Sequence, residues 1–265
     1  MNLKKIVAIA LATTLITGCS STSTGTESAT LLDQIKESGE LKVAIEGTYS
    51  PYTYHDEDNN IVGYDVEIAE AVAEKLGVKA VFTETKWDGI IAGLDAKQYD
   101  VIFNQVGVTA EREEKYLFST PYTYTYGVII TKADNNSISS FDDLNGKKSA
   151  QTTTSNWADT VRDYGGEIVP TDGFVQSIDL VLQGRADATV NDNVTFYDYL
   201  KSNPDAKVKV AAQSTEVNTS AALIRQEDGA ELKKAIDQAL KELSEDGTLT
   251  KISNKYFGED VSVAK

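Results

Sequence analysis

One arginine and two acids stand near the ends of predicted strands, and their types suit carboxylate and ammonium groups. Arg112 lies in Thr109-Ala-Glu-Arg-Glu-Glu-Lys115, at the predicted start of a short helix. A guanidinium presents a rigid fork that matches a carboxylate. An ordinary helix-surface arginine among acids is the plainer alternative. Asp192 follows the predicted strand Ala186 to Val190, where it could take an ammonium or cap a helix starting at Asn193. Glu46 follows Val43-Ala44-Ile45 in the same way. Tyr49, Tyr52, Tyr54 and Trp87 fall in turn-like contexts, as walls of a small-molecule site or as packing. Thr152 to Asn156 is a hydroxyl-rich run before a predicted helix, able to meet an anion or to cap that helix.

Other chemistries find little support. The chain has 265 residues with one histidine and one cysteine. That excludes a disulfide framework and leaves too few nitrogen and sulfur ligands for an ordinary zinc site. A nucleophilic enzyme would depend on His55 alone, so no catalytic residue is assigned. Asp56, Asp58, Asn60 and Glu67 approach the spacing of a calcium loop. Ile61 replaces its required glycine, however, and Glu67 falls in a predicted helix, so a solvated hairpin turn is expected and no metal. With 25 Lys and Arg against 41 Asp and Glu, the net charge is −16. Such a balance speaks against nucleic-acid binding, which draws on lysine and arginine. No cofactor is expected.

The elements that must position these residues alternate. Leu41 to Ile45 reads as a strand, and Ile68, Ala69, Val72, Ala73 and Leu76 form a helical face closed by Gly77. Val81 to Thr83, Val101 to Phe103 and Val128 to Ile130 read as strands, the last two as buried parallel ones. Helices are predicted over Gly89 to Leu94, Trp157 to Tyr164 and Ser177 to Gln183. A final one carries Leu232, Ile236, Leu240 and Leu243 and is capped by Gly247. Tyr122 to Tyr126 alternates with period two, as a strand or a crossing between sheets. Strand and helix in alternation predict an α/β protein with mostly parallel sheets. Ligands of open α/β sheets sit beyond the carboxyl ends of strands, which singles out Glu46, Asn104-Gln105 and Asn191-Asp192.

Residues 1–18 read as an address. Lys4 and Lys5 precede the apolar run Ile6 to Ile16, too short for a bilayer span of roughly 20 residues. Leu15-Ile16-Thr17-Gly18-Cys19 resembles a bacterial lipobox, which implies cleavage after Gly18 and acylation of Cys19; a plain secretory signal is the alternative. Residues 19–30 are small and polar and read as a flexible tether. Together they predict a folded body lipid-anchored outside the cytoplasmic membrane.

Several spaced motifs then combine into one resemblance. They are Ile45-Glu-Gly-Thr-Tyr-Ser-Pro-Tyr-Thr-Tyr54, Gly63-Tyr-Asp-Val-Glu-Ile-Ala69, Trp87-Asp-Gly-Ile-Ile-Ala-Gly-Leu94 and the run Asp100 to Arg112. Phe118-Ser-Thr-Pro-Tyr122, Asp142-Asp-Leu-Asn-Gly-Lys147, Gly184-Arg-Ala-Asp-Ala188 and Asp246 through Gly258 continue the series. The chain thereby resembles the polar amino-acid binding proteins of ABC importers, most closely the cystine-binding branch. The resemblance implies a two-lobe periplasmic-binding-protein fold (type II) with two hinge crossings. Lobe one would hold 31–122 plus 220–265 and lobe two 127–214, with hinges near 122–126 and 215–220. It implies an amino acid in the cleft, an ABC permease as partner and a monomer.

By the same resemblance Arg112 would grip the ligand carboxylate and Asp192 its ammonium, with Tyr49 and Trp87 sandwiching the side chain. Asn104 and Gln105 would add backbone hydrogen bonds, and Thr154, Ser155 and Asn156 would complete the carboxylate site. Gly107 stands where many relatives carry Thr or Ser, a departure that removes a hydroxyl and would widen the pocket. Glu46 would be available to the distal ammonium of cystine. Glutamine, arginine or histidine are the alternative ligands, and an enzyme resembling cyclohexadienyl dehydratases is the alternative class.

Overall fold

The computed structural model describes residues 29–264. The signal-like segment, Cys19 and the tether as far as residue 28 lie outside the described residues. Thr30, the last residue of the expected tether, caps helix α1 (Leu31–Ser38) in a reciprocal box with Asp33.

Strand β1 (Glu40–Ile45) leads into a small antiparallel meander of β2 (Thr48–Tyr49), β3 (Thr53–His55) and β4 (Ile61–Val62). Helix α2 (Tyr64–Leu76) follows, ending at Gly77 with φ +79° as its apolar spacing predicts. Then come β5 (Lys79–Glu84), α3 (Trp87–Asp95), β6 (Val101–Ile102), the single turn α4 (Ala110–Glu113) and β7 (Tyr116–Phe118). The chain next runs through β8 (Thr123–Lys132), β9 (Lys148–Gln151), α5 (Asn156–Asp163), β10 (Glu167–Pro170), α6 (Phe174–Leu182), β11 (Thr189–Asp192), α7 (Asn193–Ser202) and β12 (Val208–Ser220). It returns as β13 (Leu223–Arg225), α8 (Ala230–Glu245) and α9 (Thr248–Phe257).

The first sheet has the order β5-β1-β6-β13-β7, so β13 comes back from the far end of the sequence to lie between β6 and β7. Strand β1 runs parallel to β5 and β6, while β13 is antiparallel to β6 and β7. Alternation along β1 splits the core. Val43 and Ile45 pack with Ile68 and Val72 of α2 and Ile236 and Leu240 of α8. Ala44 faces Ile90 and Leu94 of α3 on the opposite side. Helix α9, which the sequence reading does not separate from the motif around it, buries only Leu249, Ile252 and Ser253. So thin an apolar stripe gives little periodic signal.

The second half is built on β11-β8-β12, with β9 and β10 paired in parallel and joined to β11's approach by the bridge Ser149–Ala188. Val128 to Ile130 is buried as expected, but β8 lies antiparallel to both its neighbours. A continuous apolar run reports burial on two faces, here Val128 and Ile130 against α6 and Ile129 against α5, and says nothing of strand direction. Strands β8 and β12 are the long connectors. They pair from Lys132–Val208 to Thr123–Ser220, with irregularities between Val210 and Ala212 and between Gln213 and Val217. Tyr122 ends the first half, fully buried, and the alternating run after it enters β8.

Gly63 fixes where α2 begins. Its φ is +139°, and a Cβ there would stand 2.0 Å from the carbonyl oxygen of Tyr52. Gly63→Ala is expected to lower stability by about 1–3 kcal/mol from backbone strain alone. A fall in the urea midpoint at unchanged slope would show it.

Candidate functional site

The ends of β1, β6, β9 and β11 converge on one cavity lined by Glu46, Tyr49, Trp87, Asn104, Gln105, Ser155, Asn156 and Asp192, all singled out from the sequence. Its volume is about 50 Å³, a few waters' worth at ~10–15 Å³ each. Arg112, Gly107 and Thr154 stand outside its lining and meet one another at its edge.

Asn104, wholly buried, organises Glu46. Its Oδ1 accepts the Glu46 N–H at 2.8 Å and the Thr53 hydroxyl at 3.0 Å, and its Nδ2 donates to Glu46 Oε2 at 2.8 Å. Burial pushes the Glu46 carboxyl up to about 7, with the Asp88 charge adding to the effect and the Asn104 bond opposing it. Gln105 adopts φ +49° and is held by Asp65, whose carboxylate accepts its backbone N–H at 2.8 Å and its Nε2 at 2.7 Å. Asp65 is fully buried with no cation partner among the described residues, and burial pushes it up to about 7. The side chains of Asn104 and Gln105 therefore shape the site. Gln105 Oε1 and Trp87 Nε1 are buried without hydrogen-bond partners among the described residues.

Asp192 ends β11 at the N-cap position of α7, yet makes no capping bond. Its carboxylate instead accepts the Thr125 hydroxyl, Asn218 Nδ2 at 3.0 Å and Trp157 Nε1 at 3.4 Å. Burial raises its pKa against those three bonds. Tyr49 packs on Tyr52 with ring centroids 4.9 Å apart and donates its hydroxyl to Asn191 Oδ1 at 2.9 Å.

Arg112 is buried, in contrast to the surface alternative. Thr109 caps its helix, and the guanidinium donates to Gly107 O and Thr154 O, each at 2.9 Å, 5.6 Å from the Trp87 ring. The Thr154 hydroxyl, expected to reach a carboxylate, donates to Asp88 at 2.8 Å together with that of Thr153. Asp88 leads the first turn of α3 and crosses to the second half, where Lys86 also pairs with Asp172 at 2.9 Å. Ser155 caps α5, accepting the Ala158 N–H. Gly107 does not widen the cavity as expected. The space is taken by Asn156, whose Cγ would lie 2.9 Å from a Cβ at Gly107.

Asp56 accepts the N–H groups of Asp58 and Asn60 in a tight turn. Among the described residues no group of three or more His, Cys, Asp and Glu could hold a metal. His55, for which the sequence offers no visible partner, is 3.0 Å from Glu84. Gln151, Thr152, Trp157 and Phe174 line the cavity without having been singled out as site residues one by one. Gln151 ends a strand, and the strand-end rule could have found it.

Two α/β halves joined by paired strands, with a cavity between facing strand ends, are the build of a solute-binding protein. The chain belongs to the bacterial extracellular solute-binding proteins, family 3, whose model matches residues 41–259. It is 46% identical, over 86% of its length and 85% of the relative's, to the L-cystine-binding protein TcyA of Bacillus subtilis (strain 168). The L-cystine solute receptor of Neisseria gonorrhoeae, in its unliganded open conformation, is 42% identical with a TM-score of 0.60, covering 89% of this chain and all of the receptor. An ancestral arginine-binding protein bound to arginine is 36% identical with a TM-score of 0.78, covering 83% of this chain and 99% of its own. Shape and sequence thus rank these two neighbours in opposite order.

Proposed function

We propose that this chain is the substrate-binding component of an ABC amino-acid importer, that it binds L-cystine between two lobes and that it delivers it to the permease. The observation that carries the ligand is the charge of the cavity. Glu46 and Asp192 line it from the two halves, and no Lys or Arg among the described residues does. Two carboxylates without a base complement a ligand with two ammonium groups, and an isolated buried charge is costly until paired. Arg112 at the edge is the cation for a ligand carboxylate. A carboxylate replacing its carbonyl partners gains charge-assisted hydrogen bonds. The orphan Gln105 Oε1 and Trp87 Nε1 supply a further acceptor and donor. The names of the cystine-binding relatives support the same choice.

Lobe one is taken as 31–122 plus 220–265 and lobe two as 127–214, with the crossings 122–126 and 215–220 as the hinge. The contacts of Asp88, Lys86 and Tyr49 across the gap and the greater likeness to the arginine-bound neighbour support a closed arrangement. The cavity lies between residues of the two lobes, so entry of an amino acid requires the lobes to part. Cys19 serves as the lipid attachment that holds the monomer outside the cytoplasmic membrane.

A thermal-shift screen of the twenty amino acids plus cystine tests the ligand. Cystine at 100 times its Kd is expected to stabilise the protein by about 2.7 kcal/mol. A shift with arginine, glutamine or histidine and none with cystine would overturn the choice.

A further inference from the structure

Gly127 lies inside β8, directly across the ladder from Asp192. Its φ is outside the left-handed region, so its backbone does not call for glycine. Glycine within a strand weakens it and often marks a close approach by another group. The approaching group is Trp157, in the first turn of α5. A Cβ at Gly127 would stand 2.6 Å from Trp157 Cζ3 and 2.7 Å from Cη2. The same ring lines the cavity, and its Nε1 faces Asp192 Oδ2 at 3.4 Å. On its other side, with Asn156, it borders an outer groove that includes Tyr164 and Gln213. Trp157 is therefore a partition whose seat is fixed by a residue that does not line the cavity.

We propose that Trp157, recessed against Gly127, is a specificity-determining residue: it sets the width of the cavity beside Asp192 and orients that carboxylate. The proposal rests on the amino-acid reading of the cavity. With the ring drawn back onto β8, the second half of a disulfide ligand has room, and the indole offers sulfur a favourable aromatic neighbour. A methyl group at position 127 would push the ring toward the ligand. Loss of the indole N–H would leave Asp192 one donor poorer and its pKa higher still.

Calorimetry with cystine on the wild type, Gly127→Ala, Trp157→Phe, Trp157→Leu and the double variant that combines Gly127→Ala with Trp157→Leu tests this. Gly127→Ala is expected to weaken binding about 5- to 150-fold, the cost of overpacking. Trp157→Phe keeps Gly127 and an aromatic ring, so the fold is retained. It is expected to lose about 2- to 10-fold and to move the acid limb of the binding profile to higher pH, which a purely structural role would not do. The double variant should bind no worse than Trp157→Leu alone, because the added methyl group then has no indole to displace. Equal cystine binding by wild type and Gly127→Ala, additive losses in the double variant, or an unmoved pH profile in Trp157→Phe would overturn the proposal. A wild type that binds no cystine would instead overturn the functional reading.

Discussion

Asp192→Asn is expected to lower cystine affinity by about 2–5 kcal/mol, roughly 30- to 5,000-fold, because it removes one partner of a buried charge pair. Asparagine keeps the size of the side chain and one oxygen for the Thr125 and Asn218 donors, which share Oδ1, and gives up only the longer bond from Trp157 to Oδ2. The stability of the ligand-free protein should move the other way. Burial raises the Asp192 pKa, so the folded state retains a proton that the unfolded state releases. The corresponding stability is present below the unfolded carboxyl pKa and is lost as pH rises through the folded one. At pH 8 the charged carboxylate is therefore a cost, and the variant should melt no lower than the wild type. Weaker binding without loss of stability is the mark of a group kept for its ligand. Unchanged affinity by calorimetry would remove Asp192 from the site.

The second large effect is a pH dependence carried by Glu46. Burial pushes its carboxyl up to about 7, and the nearby Asp88 charge adds to the effect. Binding of an ammonium favours the ionised form, so below pH 7 the ligand must displace a proton. Affinity should fall by up to tenfold per pH unit, about 50-fold between pH 7 and pH 5, if the complex titrates below that range. Above about pH 8 the Glu46 contribution is level. Glu46→Gln should be weak at every pH and lose this part of the slope. A wild-type profile that is flat from pH 5 to pH 8 would exclude a proton-coupled ammonium at Glu46.

Much of the site was legible because strand ends can be read from apolar runs. Leu41 to Ile45 announces the acid that follows it, and Gly77 marks the end of α2 by the left-handed turn it adopts, whereas the strand predicted over Ala186 to Val190 is observed at Thr189–Asp192, with Asp192 as its last residue. What these signals carry is burial and local conformation. They could not give the direction of β8, since Val128, Ile129 and Ile130 are buried whichever way the neighbouring strands run. Nor could they show that the Thr154 hydroxyl is spent on Asp88, 66 residues away in sequence. Asp65 reads as an ordinary acid in the first turn of a helix, yet it is the buried anchor of Gln105.

The amino-acid sequence by itself determined the alternation of strands and helices, the acidic and thiol-poor character of the body, and the acids and aromatics placed at strand ends. Periodicity, capping and composition are local properties, and local chemistry is enough to specify them. Only the tertiary structure decided that Glu46 and Asp192 share a cavity without a base, that Arg112 stands at its edge, and that Trp157 sits on Gly127. Those facts depend on contacts between residues far apart in the chain. They are settled by how two sheets and their helices pack, a competition among long-range contacts that no single stretch of sequence encodes.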